Sequence, residues 1–196
     1  MSLRIIGGAF RNRPIKSPKG EQTRPTLAIM RKAVFDILQT SIEQAYFLDL
    51  YAGSGAMGLE ALSRGADHVT FIDSNSQALR CIEENIQHLG VKDQCTLISY
   101  DCLKALKNLV KQKKQFNLIY ADPPYATASK LKLLHEILIF LDTQPLVLNN
   151  GTLFLEESFP ATLHPETLSL TSLRHVDSRT FSHSLLHQFR KINVQT

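Results

Sequence analysis

No apolar run approaches the roughly 18 residues that span a bilayer, which disfavours a membrane helix. The first twenty positions hold Arg4, Arg11, Arg13, Lys16 and Lys19 and no apolar stretch that would serve as the core of a secretory signal. Cysteine is scarce: Cys81, Cys95 and Cys102 form an odd set without a C-x-x-C pair, which argues against both a disulfide framework and a zinc site. These absences predict a cytoplasmic, metal-free protein with reduced thiols. Internal repeats and low-complexity tracts are also missing. What is present, 43% hydrophobic and 20% charged residues over 196 positions, has the profile of one globular domain with a small appendage.

Charge is distributed unevenly. Residues 1–32 carry eight Lys/Arg (Arg4, Arg11, Arg13, Lys16, Lys19, Arg24, Arg31 and Lys32) against the single Glu21, a local charge of +7 in a chain of net +4. A basic N-terminal arm on a mildly acidic body predicts a phosphate-bearing partner held by the arm. Two short β-leaning runs around Gly7-Gly8 predict a hairpin outside the main core, and Thr26 is placed to cap a helix running to about Thr40. Residues 1–40 are thus expected to form a basic extension and residues 41–196 the main body.

From Ala45 onward the pattern alternates. Apolar strands are expected at Tyr46–Tyr51, His68–Asp73, Cys95–Ser99, Phe116–Ala121 and Thr152–Glu156. Between them lie helical stretches ending at Arg64, over Ser76–Leu89 with Gly90 as its stop, over Leu103–Lys111 and over about Ala128–Leu141. Such alternation predicts a parallel sheet with helices on both faces. The tail breaks the rhythm, because Leu168–Val176 and Leu185–Ile192 leave no room for a helix and should pair antiparallel.

The turn Gly53-Ser54-Gly55-Ala56-Met57-Gly58 follows the first of these strands, opens a helix, and is followed by Asp73 at the end of the next strand. Glycines admit a ligand close to the backbone, the helix N-terminus favours negative charge, and the carboxylate suits ribose hydroxyls. These features predict an adenosine cofactor without specifying which. Asp49 lies inside a strand that a dinucleotide enzyme would keep apolar, and it suits the amino group of S-adenosylmethionine unless it only caps the turn. Asp122-Pro123-Pro124-Tyr125 follows the fourth strand, where open α/β folds place ligands. Two prolines stiffen the turn and remove two donors, so it presents acceptors: the Asp122 side chain and the Pro123 carbonyl suit an exocyclic amino group, and Tyr125 suits the face of a base.

Asp-Pro-Pro-Tyr resembles the catalytic motif of methyltransferases acting on amino groups of nucleic-acid bases. The run from Asp49 to Ala66, with Arg4-Ile5-Ile6-Gly7-Gly8 and Thr23-Arg24-Pro25-Thr26 ahead of it, is similar to the bacterial RsmD family of small-subunit ribosomal RNA guanine-N2 methyltransferases. The resemblance implies a class I, Rossmann-like methyltransferase fold: a mostly parallel seven-stranded sheet with an antiparallel C-terminal hairpin and a small N-terminal hairpin and helix. It implies S-adenosyl-L-methionine as cofactor and 16S rRNA as partner, within a small subunit or an assembly intermediate. Asp49, Gly53 and Gly55 would surround the methionine part of the cofactor, with Ala52 and Ser54 in the same turn. Asp73, followed by Ser74, would hold the ribose, and Asp101 with Cys102 would lie beside the adenine. Asp122 to Tyr125 would hold the guanine, Asp122 also facing the cofactor. Arg24 and Thr26 would lie beside the active site and, with Arg4, Arg11, Arg13 and Arg31, contact RNA. The family's Tyr-Gly in the closing hairpin is replaced here by Phe181-Ser182-His183, which predicts a differently shaped turn.

An adenine-N6 methyltransferase fits the same four residues, but only 71 residues follow Tyr125, little for a duplex-reading domain. A glutamine-amide methyltransferase would carry Asn in place of Asp122. A non-catalytic RNA-binding relic is disfavoured by the intact Asp49, Asp73 and Asp122. Glu60 is expected either to reach substrate or merely to favour the helix dipole from an exposed first turn. His183 and His187 lie in a β-leaning segment without a third ligand.

Overall fold

The computed structural model describes residues 3–18, 25–124 and 129–192. Helix α1 spans Pro25–Ile37, and the alternating body follows: β1 (Tyr46–Leu50), α2 (Ala56–Ser63), β2 (His68–Asp73), α3 (Ser76–Leu89), β3 (Cys95–Ser99), α4 (Cys102–Lys111), β4 (Phe116–Ala121), α5 (Ser129–Thr143), β5 (Val147–Ser158), β6 (Leu173–Phe181) and β7 (Ser184–Lys191). The strands make one seven-stranded sheet in the order β3-β2-β1-β4-β5-β7-β6. Its first five members are parallel, and β7 inserts antiparallel between β5 and β6.

Local chemistry accounts for the element ends. Asn75 caps α3 by accepting the Gln77 N–H, and Gly90 closes the helix in the left-handed region, φ 73°. The buried residues of α3, Ala78, Cys81, Ile82, Asn85, Ile86 and Leu89, recur at helical spacing and make one face. Asp101 caps α4 through the Lys104 N–H. Helix α1 starts at Pro25, whose missing N–H costs nothing in a first turn, so Thr26 lies one position inside the helix rather than at its cap.

Alternation along β1 divides the core. Phe47 faces the layer built by α1, α2 and α3, with Met30, Val34, Phe35, Leu59, Val69, Phe71 and Ile82. Leu48 and Leu50 face the layer built by α4 and α5, with Leu106, Leu109, Leu134 and Leu138. The N-terminal segment belongs to the first layer, which corrects the expected hairpin outside the core: Ile5 and Ile15 are 1% and 5% exposed and pack with the body. Its two halves do pair antiparallel, through the Arg4–Pro14 bridge and through Ile5 donating to the Arg13 carbonyl (3.1 Å), Asn12 to the Ile5 carbonyl (2.9 Å) and Ile15 to the Leu3 carbonyl (2.9 Å). This hairpin is held on α2, where Ala9 donates to the Ser63 carbonyl (2.7 Å) and Phe10 to the Ser63 hydroxyl (2.9 Å). Gly8 makes this approach possible, since a Cβ there would lie 1.7 Å from the Ser63 carbonyl oxygen and φ is +75°.

The tail strands pair as expected but β6 begins later than the apolar run suggests. Asp142, buried at the end of α5, accepts the N–H groups of Thr171, Ser172 and Leu173 and so holds the start of that run as a loop. In the turn between β6 and β7, Ser182 takes the left-handed conformation (φ 53°) that glycine adopts more readily.

Candidate active site

Sheet order places the site. The sheet reverses direction of growth between β1 and β4, and at such a point the carboxyl ends of parallel strands leave a crevice for a ligand. Leu50 of β1 is in register with both Ile72 of β2 and Ala121 of β4. The turn after β1, Asp73 and Asp122 therefore emerge side by side at one edge.

The turn is tightly specified. Ala52 donates to the Ile72 carbonyl (3.1 Å), Gly55 donates to the Ala52 carbonyl (2.7 Å), and Gly55 caps α2 at φ 75°. Asp73 braces it from β2, with one carboxylate oxygen accepting the Gly53 N–H (2.9 Å) and the other the Asn75 N–H (2.8 Å). Gly58 lets α2 lie directly on β2: a Cβ there would fall 2.3 Å from Phe71 and 2.6 Å from Val69. Ser54 is half-buried in the turn and Ser74 is exposed beyond Asp73.

Asp49 shares the face of Phe47 and is only 2% exposed, with Oδ2 accepting the Gly58 N–H at 2.9 Å. Burial, reinforced by the charge of Asp73 and opposed by the Gly58 hydrogen bond, pushes its carboxyl up to about 8. Between about pH 4 and 8 the folded protein thus retains a proton that the unfolded chain releases, so this group lowers stability as pH rises through that window and the loss is complete above it. Asp49→Asn, which keeps an acceptor for Gly58, is expected to show a flatter decline in unfolding free energy between pH 5 and 8.5 in denaturant titrations. Parallel slopes for the two proteins would contradict the assignment.

Asp101 is exposed at the start of α4, and Cys102 is buried beneath it. The Cys102 thiol, pushed up to about 12 by burial, contacts the Tyr51 hydroxyl. Tyr51, half-buried at φ 61° and not singled out from the sequence, lies beside these candidate residues; burial raises its pKa, and the neighbouring charges of Asp101 and Asp73 act in the same direction. Asp122 is half-buried at the end of β4, its N–H donating to the Leu50 carbonyl (3.3 Å), with Pro123 buried and Pro124 exposed. Tyr125 and Arg24 lie outside the described residues, and of Thr26 only the backbone is described.

Two expected roles require correction. Arg31 is 4% exposed: its Nη2 donates to the Arg4 carbonyl (2.7 Å) and its Nε lies 3.6 Å from Glu60. Burial lowers its pKa, and the guanidinium is not presented to a nucleic acid. Glu60 is fully buried rather than exposed in a first turn, accepting the N–H groups of Ile6 (2.7 Å) and Gly7 (2.8 Å) and the Arg64 Nε (2.8 Å). Its charge is spent inside the fold. Arg4, Arg11 and Arg13 remain exposed; Arg4 closes its own loop on the Asn12 carbonyl (2.8 Å), and Arg13 lies 5.4 Å over the Phe10 ring.

His183 is exposed in the β6–β7 turn, whereas His187 is buried and bonded to Glu157 (2.8 Å) and Ser178 (2.8 Å), so the two do not form a pair. Among the described residues no group of three or more His, Cys, Asp and Glu gathers as for a metal, and no described helix is long and apolar enough to cross a membrane.

The sheet order, the braced glycine turn and the acceptor-rich turn after β4 define a class I methyltransferase fold. The chain belongs to the family described as conserved hypothetical protein 95, the RsmD family, matched over residues 3–189. Ribosomal RNA small subunit methyltransferase D of Escherichia coli is 30% identical over 154 residues, covering 79% of this chain and 74% of that one. Its namesake in Haemophilus influenzae is 35% identical over 124 residues, 63% and 64% of the two chains. Among solved structures, the yhhF protein of Escherichia coli superposes with a TM-score of 0.82 at 24% identity, over 98% of this chain and 99% of that one. SMU.776, solved with S-adenosylhomocysteine, superposes with a TM-score of 0.72 at 13% identity, over 92% of this chain and 52% of that one.

Proposed function

We propose that the chain methylates the N2 amino group of a guanine in small-subunit ribosomal RNA, using S-adenosyl-L-methionine, as a cytoplasmic enzyme acting on 16S rRNA in a subunit or assembly intermediate. The observation that carries this reading is Asp122-Pro123-Pro124 emerging beside the glycine turn at the reversal point of the sheet, in a chain of the RsmD family. The residues fit the cofactor: Asp49 is a buried carboxyl beside the turn, able to accept from an amino group, and Asp73 braces the turn from β2. Asp49 would meet the amino group, the turn from Ala52 to Gly55 the methionine part, Asp73 and Ser74 the ribose, and Asp101, Cys102 and Tyr51 the adenine.

The cofactor, when bound, supplies a methyl group on a sulfonium and leaves as a neutral thioether. The protein therefore has to orient the amino group and stabilise the positive charge that grows on it as the new C–N bond forms, after which the nitrogen releases one N–H proton to solvent. The Asp122 side chain and the Pro123 carbonyl accept from the N–H bonds, and the prolines keep their angle fixed. Residues 1–40 are proposed as the RNA-contacting part of the chain ahead of the body at 41–196, with the cations Arg4, Arg11 and Arg13 exposed among the described residues.

The reading is tested by nucleoside analysis of unmodified small-subunit rRNA and particles after incubation with the protein and methyl-labelled cofactor. Label in N2-methylguanosine is expected; label in N6-methyladenosine overturns the guanine assignment. Because Ile5 and Ile15 are core residues, the arm is better probed by point changes than by deletion. Arg11→Ala and Arg13→Ala are each expected to reduce the salt slope of RNA binding by about 1 while leaving cofactor affinity intact. Equal slopes would remove these cations from the interface.

A further inference from the structure

The arm that carries the exposed arginines and the turn that faces the cofactor are joined by one buried side chain. Asn85, on α3, is 1% exposed. Its Oδ1 accepts the Lys16 N–H (2.7 Å), while its Nδ2 donates to the Lys16 carbonyl (3.0 Å) and to the Ser54 carbonyl (3.1 Å). The amide thus pairs with Lys16 as a neighbouring strand would, and the same nitrogen holds the peptide between Gly53 and Gly55. Asn85 takes no part in the chemistry described above, and its two backbone partners, Ser54 and Lys16, lie 31 and 69 positions away in sequence.

The surroundings make this link stiff. The other end of the arm is pinned through Ile6 and Gly7 to Glu60, and Glu60 lies on α2, the helix that the glycine turn opens. The turn itself is flanked by two glycines at positive φ, 54° at Gly53 and 75° at Gly55, so the orientation of the Ser54 carbonyl depends on what holds it. Any displacement of the arm at Lys16 is therefore felt at Ser54 through a single amide.

We infer that Asn85 is a positioning residue through which RNA held by the arm sets the geometry of the cofactor turn, so that RNA and cofactor strengthen each other's binding. The inference rests on the functional reading given above. Coupling of this kind is reciprocal: the factor by which RNA tightens the cofactor equals the factor by which the cofactor tightens RNA.

The experiment measures S-adenosylhomocysteine affinity by calorimetry with and without saturating unmodified small-subunit particles, for the full chain and three variants. Wild type is expected to bind S-adenosylhomocysteine about fivefold more tightly with the particle present. Asn85→Asp keeps the acceptor for Lys16 but loses the donations to Lys16 and Ser54 and the one to Cys81 Sγ (3.7 Å), and Asn85→Ala loses the acceptor as well; in each the ratio is expected to fall below about twofold. Leu109→Ala, which empties space in the opposite layer, is a control for lowered stability and is expected to retain the wild-type ratio. A merely structural role for Asn85 would lower the melting temperature and leave the ratio unchanged, which overturns the inference, as does a ratio of one in wild type. Failure of wild type to bind S-adenosylhomocysteine at all overturns the functional reading and the inference with it, whereas binding without coupling overturns the inference alone.

Discussion

Asp122→Ala is expected to lower the single-turnover rate of methyl transfer by about two to three orders of magnitude while changing cofactor affinity less than about threefold. The asymmetry follows from timing. An acceptor aimed at the amino group gains most when that nitrogen turns cationic, so its removal raises the barrier more than it weakens the ground state. Asp122→Asn, which keeps one acceptor oxygen but no charge, should fall between wild type and Ala. The prolines that follow and the bond from the Asp122 N–H to the Leu50 carbonyl hold the backbone in each variant, so the effect reads the side chain. A collapse of cofactor binding with an unaltered rate at saturation would place Asp122 with the cofactor instead of the guanine.

The second large effect concerns the fold. Glu60→Ala is expected to destabilise the protein by about 3–5 kcal/mol and lower its melting temperature by about 10 °C, because Arg31 stays buried without its counter-charge and the Ile6 and Gly7 amides lose their acceptor. Glu60→Gln, which can still accept one of these bonds, should cost less. Faster amide exchange at Ile6 and Gly7 than elsewhere in the first core layer would identify the arm as the part released. A melting temperature within about 2 °C of wild type would mean that water satisfies these groups and that Ile5, Ile15 and the bonds to Ser63 and Asn85 suffice to hold the arm.

Much of the body was legible because its signals are local. The parallel strands at His68–Asp73, Cys95–Ser99 and Phe116–Ala121 are apolar runs between turn residues, and α3 ends at Gly90 for the same short-range reason. The placement of Asp49, Asp73 and Asp122 at one edge followed from strand alternation. Long-range contacts explain the misses. Arg31 reads as one more cation of a basic arm until the arm folds over α2 and brings Glu60 to it. Asn85 reads as an ordinary polar position in α3, since both of its backbone partners arrive from distant segments. The late start of β6 depends on Asp142, which no local pattern connects to Thr171. Tyr51 meets Cys102 and Asp101 only when the end of β1 and the start of α4 are brought together.

The open rim of the sheet formed by β6 carries a consequence for crowding. Arg174, Arg179 and Thr180 are exposed along it, Arg179 is tied to Asp177 at 2.7 Å, and the register slips between His175 and Asp177. A strand from another molecule docking there would have to strip water from these charges and match a broken ladder, both unfavourable. The opposite rim, β3, is plainer, with Thr96 and Leu97 exposed and an unbroken register to β2. Edge-to-edge clumping during overproduction should therefore begin at β3, and Leu97→Lys is the single change that would give that rim the same protection.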